Sequence, residues 1–418
     1  MNAVDNEQHS ALHRAIVCGE LEALDLLHKA GANPSIPDNH GALPIHYAVQ
    51  MCSAGSANRE KQMICQLGLQ RLLSMGVDIR VRDREGRDPL LWAASAGSVH
   101  AIRALVQEGA SVASQDRDGL SGLHCAASRG HADTIMCLVK ECGANPGALD
   151  SNGCSPLFYS VTLGHRECTE ALLSLGKRGL ADVKDRKERT AAHCGAARGR
   201  LESLKVLERT GADLWVPNCR GDLPLHESIQ CGNRELVSWL LSLRPSSINV
   251  ANNDGRTILH IAALNNDIEM CKMLIDHGAF VNPIMRNAKG QLVSPVDGAL
   301  HRGNRGTAKY LQLHGGVPAS KITDKAALQK ALTKAITESQ FAPAALLQPN
   351  DAEGQSKVRF SESVSQIPLA RSSKAEEKKP GGTAVSLVET GCQVSCRCPK
   401  IVDVQCTCHQ HRYILAKH

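Results

Sequence analysis

Aromatic side chains are scarce in this sequence, at 3% of 418 residues, although apolar residues together make up 42%. A core of that composition is not built on stacked rings, so small Ala, Leu and Ile side chains must fill narrow seams between helices. No apolar run approaches the roughly 18 residues of a membrane span, and the N-terminus MNAVDNEQHS is polar. A transmembrane segment and a secretory signal are therefore not expected. The sequence also lacks a Walker loop, G-x-S-x-G, H-E-x-x-H and the kinase words, which argues against an enzyme. Charge of one sign is missing too. The net charge is +6, Lys and Arg alternate with Asp and Glu, and no basic stripe carries interleaved aromatics, so nucleic-acid binding is not expected. Cysteine, by contrast, is plentiful. Of the 17 cysteines, those between Cys18 and Cys271 are scattered as small buried hydrophobes would be in a reducing compartment, and a cytoplasmic protein is expected.

Two stretches, SGLHCAASRGH at residues 121 to 131 and TAAHCGAARGR at 190 to 200, set a histidine beside a cysteine. A Cys-His dyad does not account for the pattern, because adjacent residues on a helix point about 100° apart. The words belong to a larger series: Ser10 to His13, Leu43 to His46, Asp88 to Leu91, Ser121 to His124, Ser155 to Phe158, Thr190 to His193, Leu223 to His226, Thr257 to His260 and Ser294 to Asp297. Most steps in the series are 33 or 34 residues. In the fourth copy Asp116 to Gly119 supplies a turn with a glycine for positive φ, and Ser121 stands at a helix N-cap. A short helix follows through Ala126 and Ala127 to Gly130, then a second with the stripe Ile135, Leu138 and Val139. Two short helices cannot bury that stripe alone, so each unit needs its neighbours.

The series resembles the ankyrin-repeat family, whose words D-x-x-G-x-T-P-L-H-x-A-A and G-A-D/N recur here over about residues 5 to 316. The resemblance implies an all-α solenoid of about nine helix-turn-helix units with β-turn fingers, followed by a largely disordered tail. It also implies that His13, His46, His124, His193, His226 and His260 are structural, bonding the cap hydroxyl and nearby backbone. A full unit starting at Asp5 leaves no separate cap, so either the first unit caps itself or the chain is a truncated or alternative product. Departures from the pattern mark places to inspect. Residues 49–66 hold an insertion, expected as a loop between two helices, that lengthens the His46 to Leu91 step to 45 residues. Gln8 and Glu188 replace the turn glycine, at the expense of backbone strain. Leu91, Phe158 and Asp297 replace the histidine, which puts its bonds in doubt there, and Arg244 to Ser247 replaces Gly-Ala-Asp, bending the connection.

Beyond the repeats, residues 323–340 place Ala327, Leu328, Ala331, Leu332, Ala335 and Ile336 on one stripe, as in an amphipathic helix that packs on the last repeat, with a partner-binding helix as the alternative. Residues 341–390 are rich in Pro, Ser, Gly, Lys and Glu, and are expected to be a disordered linker. Within them Lys357, Val358, Arg359 and Phe360 resemble the RVxF word that docks on type-1 serine/threonine phosphatase, in which Val358 and Phe360 share one face of an extended strand. A Cys/His-rich tail, residues 391–418, carries Cys392, Cys396, Cys398, Cys406, Cys408, His409 and His411. These are ligand types for zinc, the one cofactor in question, but the spacing lacks a C-x₂-C knuckle; a free or lipidated cysteine tail is the alternative.

The function expected is a non-enzymatic protein-interaction scaffold or adaptor, with a phosphatase-targeting subunit as its sharper form and a zinc-binding ankyrin protein acting through its tail as the alternative. Partner contacts are expected at the turn tips: Arg84, Glu85, Arg117, Asp118, Arg186, Lys187, Arg220, Asn253 and Asp254, with Asn39, His40, Ser151, Asn152 and Cys219 beside them.

Overall fold

Every four-residue word of the sequence opens a helix in the computed structural model, which describes residues 2–53, 59–177, 179–287 and 289–322. The helices alternate as pairs. The first unit holds α1 (Ala11–Cys18) and α2 (Leu21–Lys29), the second α3 (Pro44–Met51) and α4 (Arg59–Ser74), and the third α5 (Pro89–Ala96) and α6 (Val99–Gln107). The middle units pair α7 (Gly122–Arg129) with α8 (Ala132–Lys140), α9 (Pro156–Leu163) with α10 (Arg166–Leu175), and α11 (Ala191–Ala197) with α12 (Leu201–Arg209). The last three pair α13 (Pro224–Gln230) with α14 (Arg234–Leu243), α15 (Ile258–Leu264) with α16 (Ile268–Asp276), and α17 (Pro295–His301) with α18 (Arg305–Leu313). A β-turn finger precedes each unit's first helix. In the ninth it lengthens into a hairpin whose strands β1 (Met285–Arg286) and β2 (Leu292–Val293) pair antiparallel.

The seams are as narrow as the shortage of aromatics implied. The third residue of each word, such as Leu12, Ile45, Leu90 and Leu123, is buried, as are Leu105, Leu138 and Leu240 from the second helices. Each such leucine stabilises the stack by roughly 1.5 to 3 kcal/mol. Small residues let the layers approach. A side chain at Gly97 would meet the His131 ring at 2.7 Å, and one at Gly130 would meet His165 at 2.9 Å. Those rings brace the stack in turn, because His131 Nε2 donates to the Ser95 carbonyl at 3.1 Å and His165 Nε2 to the Ser128 carbonyl at 3.2 Å.

The insertion is only partly the loop expected over 49–66. Residues 59–66 belong to α4, which has 16 residues, and its far end places Leu69 and Leu72 in the core. Arg59 to Ile64 are mostly good helix formers with no Gly or Pro among them, so the added chain extends the second helix by nearly two turns. Ile64 packs back on unit one, 3.1 Å from where a side chain at Gly19 would begin. The other departures behave as their chemistry requires. Gln8 and Glu188 sit at φ 64° and 57°, in the left-handed region that favours glycine. The connection of unit seven turns through a 3₁₀ helix, Pro245–Asn249, in which Ser247 N donates to the Arg244 carbonyl.

Candidate functional site

Each finger is held by its first residue. Asp38 Oδ1 accepts from the amides of His40 and Ala42, both at 2.8 Å, which closes an Asx turn. Asp83, Asp116, Asp150, Asp185, Asn218 and Asn252 repeat the arrangement on the residues two and four further on. A glycine such as Gly119, at φ 78°, completes the turn. The second carboxylate oxygen is then free to tie the finger to the helix behind it. Tyr47 Oη donates to Asp38 Oδ2 and Tyr159 Oη to Asp150 Oδ2, both at 2.6 Å, and Trp92 Nε1 donates to Asp83 Oδ2 at 2.9 Å. These locking residues each stand nine positions after their aspartate, a recurrence that was present in the sequence and passed over.

The histidines fasten one unit to the next. His124 Nε2 lies 3.0 Å from the Cys154 carbonyl, which can only accept, so Nε2 carries the proton. Nδ1 is then the acceptor for the backbone N–H of Ser121 at 3.1 Å and its hydroxyl at 2.9 Å. His13, His46, His193 and His260 reach the carbonyls of Ala42, Arg87, Asp222 and Val293 in the same way. Burial pulls their pKa values down, to about 4 for His13 and His193 and about 3 for His260, so the rings are neutral. Burial pushes the Cys125 thiol up to about 12, the wrong direction for a nucleophile. Where histidine is replaced, the bonds change hands. Asp88 accepts from Leu91 N at 3.0 Å, Ser155 Oγ is buried without a partner among the described residues, and Asp297 Oδ2 accepts from Ala319 N at 2.7 Å.

This scaffold brings the expected tip residues into one strip. Backbone N–H groups donate from finger to finger: Arg84 to the His40 carbonyl, Arg117 to Glu85, Ser151 to Asp118, Arg186 to Asn152, Cys219 to Lys187, Asn253 to Arg220 and Arg286 to Asp254. The side chains of Arg84, Glu85, Arg117, Asp118, Arg186, Lys187, Arg220, Asn253 and Asp254 are all exposed along it. Arg286, on the ninth finger, extends the strip and was not anticipated. Its signal was the two extra residues between Asn287 and Ser294 compared with the other fingers. Lys357, Val358, Phe360, Cys392, Cys396, Cys398, Cys406, Cys408, His409 and His411 lie outside the described residues, as do the stretches 323–340, 341–390 and 391–418.

A model of ankyrin repeats matches residues 62–150, 123–218 and 210–285, and a model of the single ankyrin repeat matches residues 7–39. Among curated relatives, the chain is 31% identical over 151 residues to transient receptor potential cation channel subfamily A member 1 of Homo sapiens, covering 34% of this chain and 13% of that protein. It is 29% identical over 222 residues to the B-cell lymphoma 3 protein homolog of Mus musculus, covering 53% and 40%, respectively. With inversin of Mus musculus it shares 31% over 131 residues, 31% of this chain and 12% of inversin. The chain thus spans less than half the length of each of these relatives.

Proposed function

Because the chain belongs to the ankyrin-repeat family, we propose that it is a non-enzymatic scaffold whose protein partner lies along the strip of finger tips. One observation carries this reading: the exposed tips are braced to one another by backbone hydrogen bonds from the second unit to the ninth. A partner would meet a surface already ordered and would lose little conformational freedom in the scaffold. Alternating charges such as Arg84 beside Glu85 and Arg117 beside Asp118 suit a protein surface of mixed sign. The cysteines of the described residues are free thiols, which supports a reducing compartment such as the cytoplasm.

We propose further that Val358 and Phe360 dock type-1 phosphatase while the array selects the substrate. Residues 341–356 would then act as a tether that keeps the enzyme at high effective concentration. Affinity purification with the full chain, with residues 1–322, and with Arg117→Glu combined with Lys187→Glu separates the two halves of the proposal. Partners of the array should survive the truncation and be lost with the tip variant. An unchanged set of captured proteins in the tip variant would overturn the strip as the interface. For the tail, a peptide spanning residues 350–372 should bind the phosphatase catalytic subunit saturably. Loss of that binding on Val358→Ala with Phe360→Ala supports docking; no saturable binding at hundreds of micromolar, well above the range of a specific motif, overturns it.

A further inference from the structure

Three fingers carry an arginine four residues after the turn's first residue: Arg87, Arg189 and Arg256. In two of them that first residue is an aspartate. Arg87 donates to Asp83 Oδ2 through Nε at 2.8 Å and Nη2 at 2.7 Å, and Arg189 donates to Asp185 Oδ2 at 2.9 Å and 2.7 Å. In unit eight the first residue is Asn252, and its amide donates to Asp222 Oδ1 of the preceding finger at 2.8 Å. Its remaining oxygen already serves the turn's amides. Arg256 therefore lacks the turn aspartate that its counterparts hold; Asp254 is the carboxylate of its own finger, and Asp222 and Glu227 of unit seven favour its charge from nearby. Among the described residues it makes no ion pair, and its Nε is buried without an acceptor.

The junction is open at two neighbouring points as well. By register His226 Nε2 faces the Arg256 carbonyl as His124 faces Cys154, but among the described residues it makes no well-formed hydrogen bond and its contacts with the Arg256 and Val250 backbone are looser. Glu227 occupies the position from which Tyr47 and Tyr159 lock their fingers, and the first residue of its finger is Asn218, not Asp. Burial, with Asp222 adding to it, holds the Glu227 carboxyl above its ordinary value. A half-buried guanidinium with an unmet donor gains most from a carboxylate, the group its two counterparts already hold through Nε and Nη2. Resting on the scaffold reading of this face, we propose that Arg256 is the receptor for an Asp or Glu side chain on an extended partner segment that crosses the fingers of units seven and eight.

The full chain can be panned against a phage-displayed library of random twelve-residue peptides, and the selected peptides synthesised. The expected result is a shared acidic residue at one fixed position. Changing it to the amide, or making Arg256→Gln in the protein, should weaken binding at least tenfold. A paired swap, Asp222→Asn with Asn252→Asp, keeps the hydrogen bond between the two fingers and gives Arg256 the carboxylate that Arg87 and Arg189 have. It should weaken peptide binding by a similar factor without lowering the melting temperature, which guards against a folding defect in Arg256→Gln. Selection of no peptide, or of peptides indifferent to both changes, overturns the site. Peptides that depend on Arg117 or Lys187 instead would sink this site and leave the scaffold reading standing.

Discussion

His124 and Cys154 are joined across two repeat units by a 3.0 Å hydrogen bond from the imidazole Nε2 to the backbone carbonyl. The same ring accepts the Ser121 amide through Nδ1, so one side chain satisfies a helix N-terminus and a neighbouring finger at once. His124→Ala leaves those groups buried and unmet, and should destabilise the stack by roughly 1 to 3 kcal/mol. Chemical denaturation measures the loss. Cys125, buried and shifted up to about 12, should alkylate in the native wild-type chain no faster than opening allows. Rapid alkylation that disappears with His124→Ala would revive a thiol-imidazole pair.

The neutral rings also set an acid limit. His13, His193 and His260 hold their folded values at about 4, 4 and 3, below the ordinary 6.5, because burial disfavours the charged form. Between those values the unfolded chain binds more protons than the folded one, so stability rises with pH. It is therefore complete above about pH 6.5 and should fall steadily as the pH drops toward 4, by up to about 3 kcal/mol for each histidine. Melting curves from pH 7.5 to 4.5 test the slope. Replacing His193 by Gln should flatten it, and a slope unchanged in that variant would show that other groups titrate there.

Much of the array was legible because its signals are local. The cap serine, the turn glycine and the following stripe lie within one unit, and their repetition distinguishes them from chance. The locks of the fingers were missed because Asp38 and Tyr47 sit on different elements, and neither residue type carries the signal by itself. Arg256 required a comparison of three fingers, since its meaning comes from an Asn where two counterparts have Asp. The insertion was misread in part because length alone suggested a loop, whereas the helix-forming run from Arg59 to Ile64 argued for continuation of the helix.

That corrected reading of α4 separates two kinds of position. Leu72 is fully buried, so Leu72→Ala should cost roughly 2 to 5 kcal/mol through lost burial and the cavity left behind. Met63 is 57% exposed on the added turns, and Met63→Ala should stay within about 0.5 kcal/mol. Equal losses at the two sites, measured by urea denaturation, would show that the added turns are as much a part of the core as the rest of α4.

Glu188 stands at φ 57°, where every other turn except that of Gln8 uses glycine. A side chain in the left-handed region costs roughly 1 to 2 kcal/mol, offset in part by the greater freedom that glycine has when unfolded. Glu188→Gly should therefore raise stability by roughly 0.5 to 1 kcal/mol, and Gly153→Ala, at φ 79°, should lower it by a similar amount. A loss of stability in Glu188→Gly would mean that the glutamate side chain makes a compensating contact.

Leu300 is 46% exposed in the last unit, whereas Ile16, Val49, Ala94, Ala127, Val161, Ala196, Ile229 and Ala263, its counterparts in the other eight, are all buried. What covers those eight is the next unit in the stack, and unit nine has none among the described residues. Leu313, 75% exposed, adds to the open end, while Ala319 N is already seated on Asp297 where the next finger would bond. We propose that the stripe of Ala327, Leu328, Ala331, Leu332, Ala335 and Ile336 covers this end, as a terminal cap must if a solenoid is not to expose its seam. A chain ending at residue 340 should then be more stable than one ending at residue 322, and Leu328→Gln with Leu332→Gln should remove the gain. Burying two leucines predicts a difference of roughly 2 to 4 kcal/mol in urea denaturation. Identical midpoints for the two lengths would show that the stripe does not pack on unit nine, and would leave Leu300 and Leu313 to another occupant.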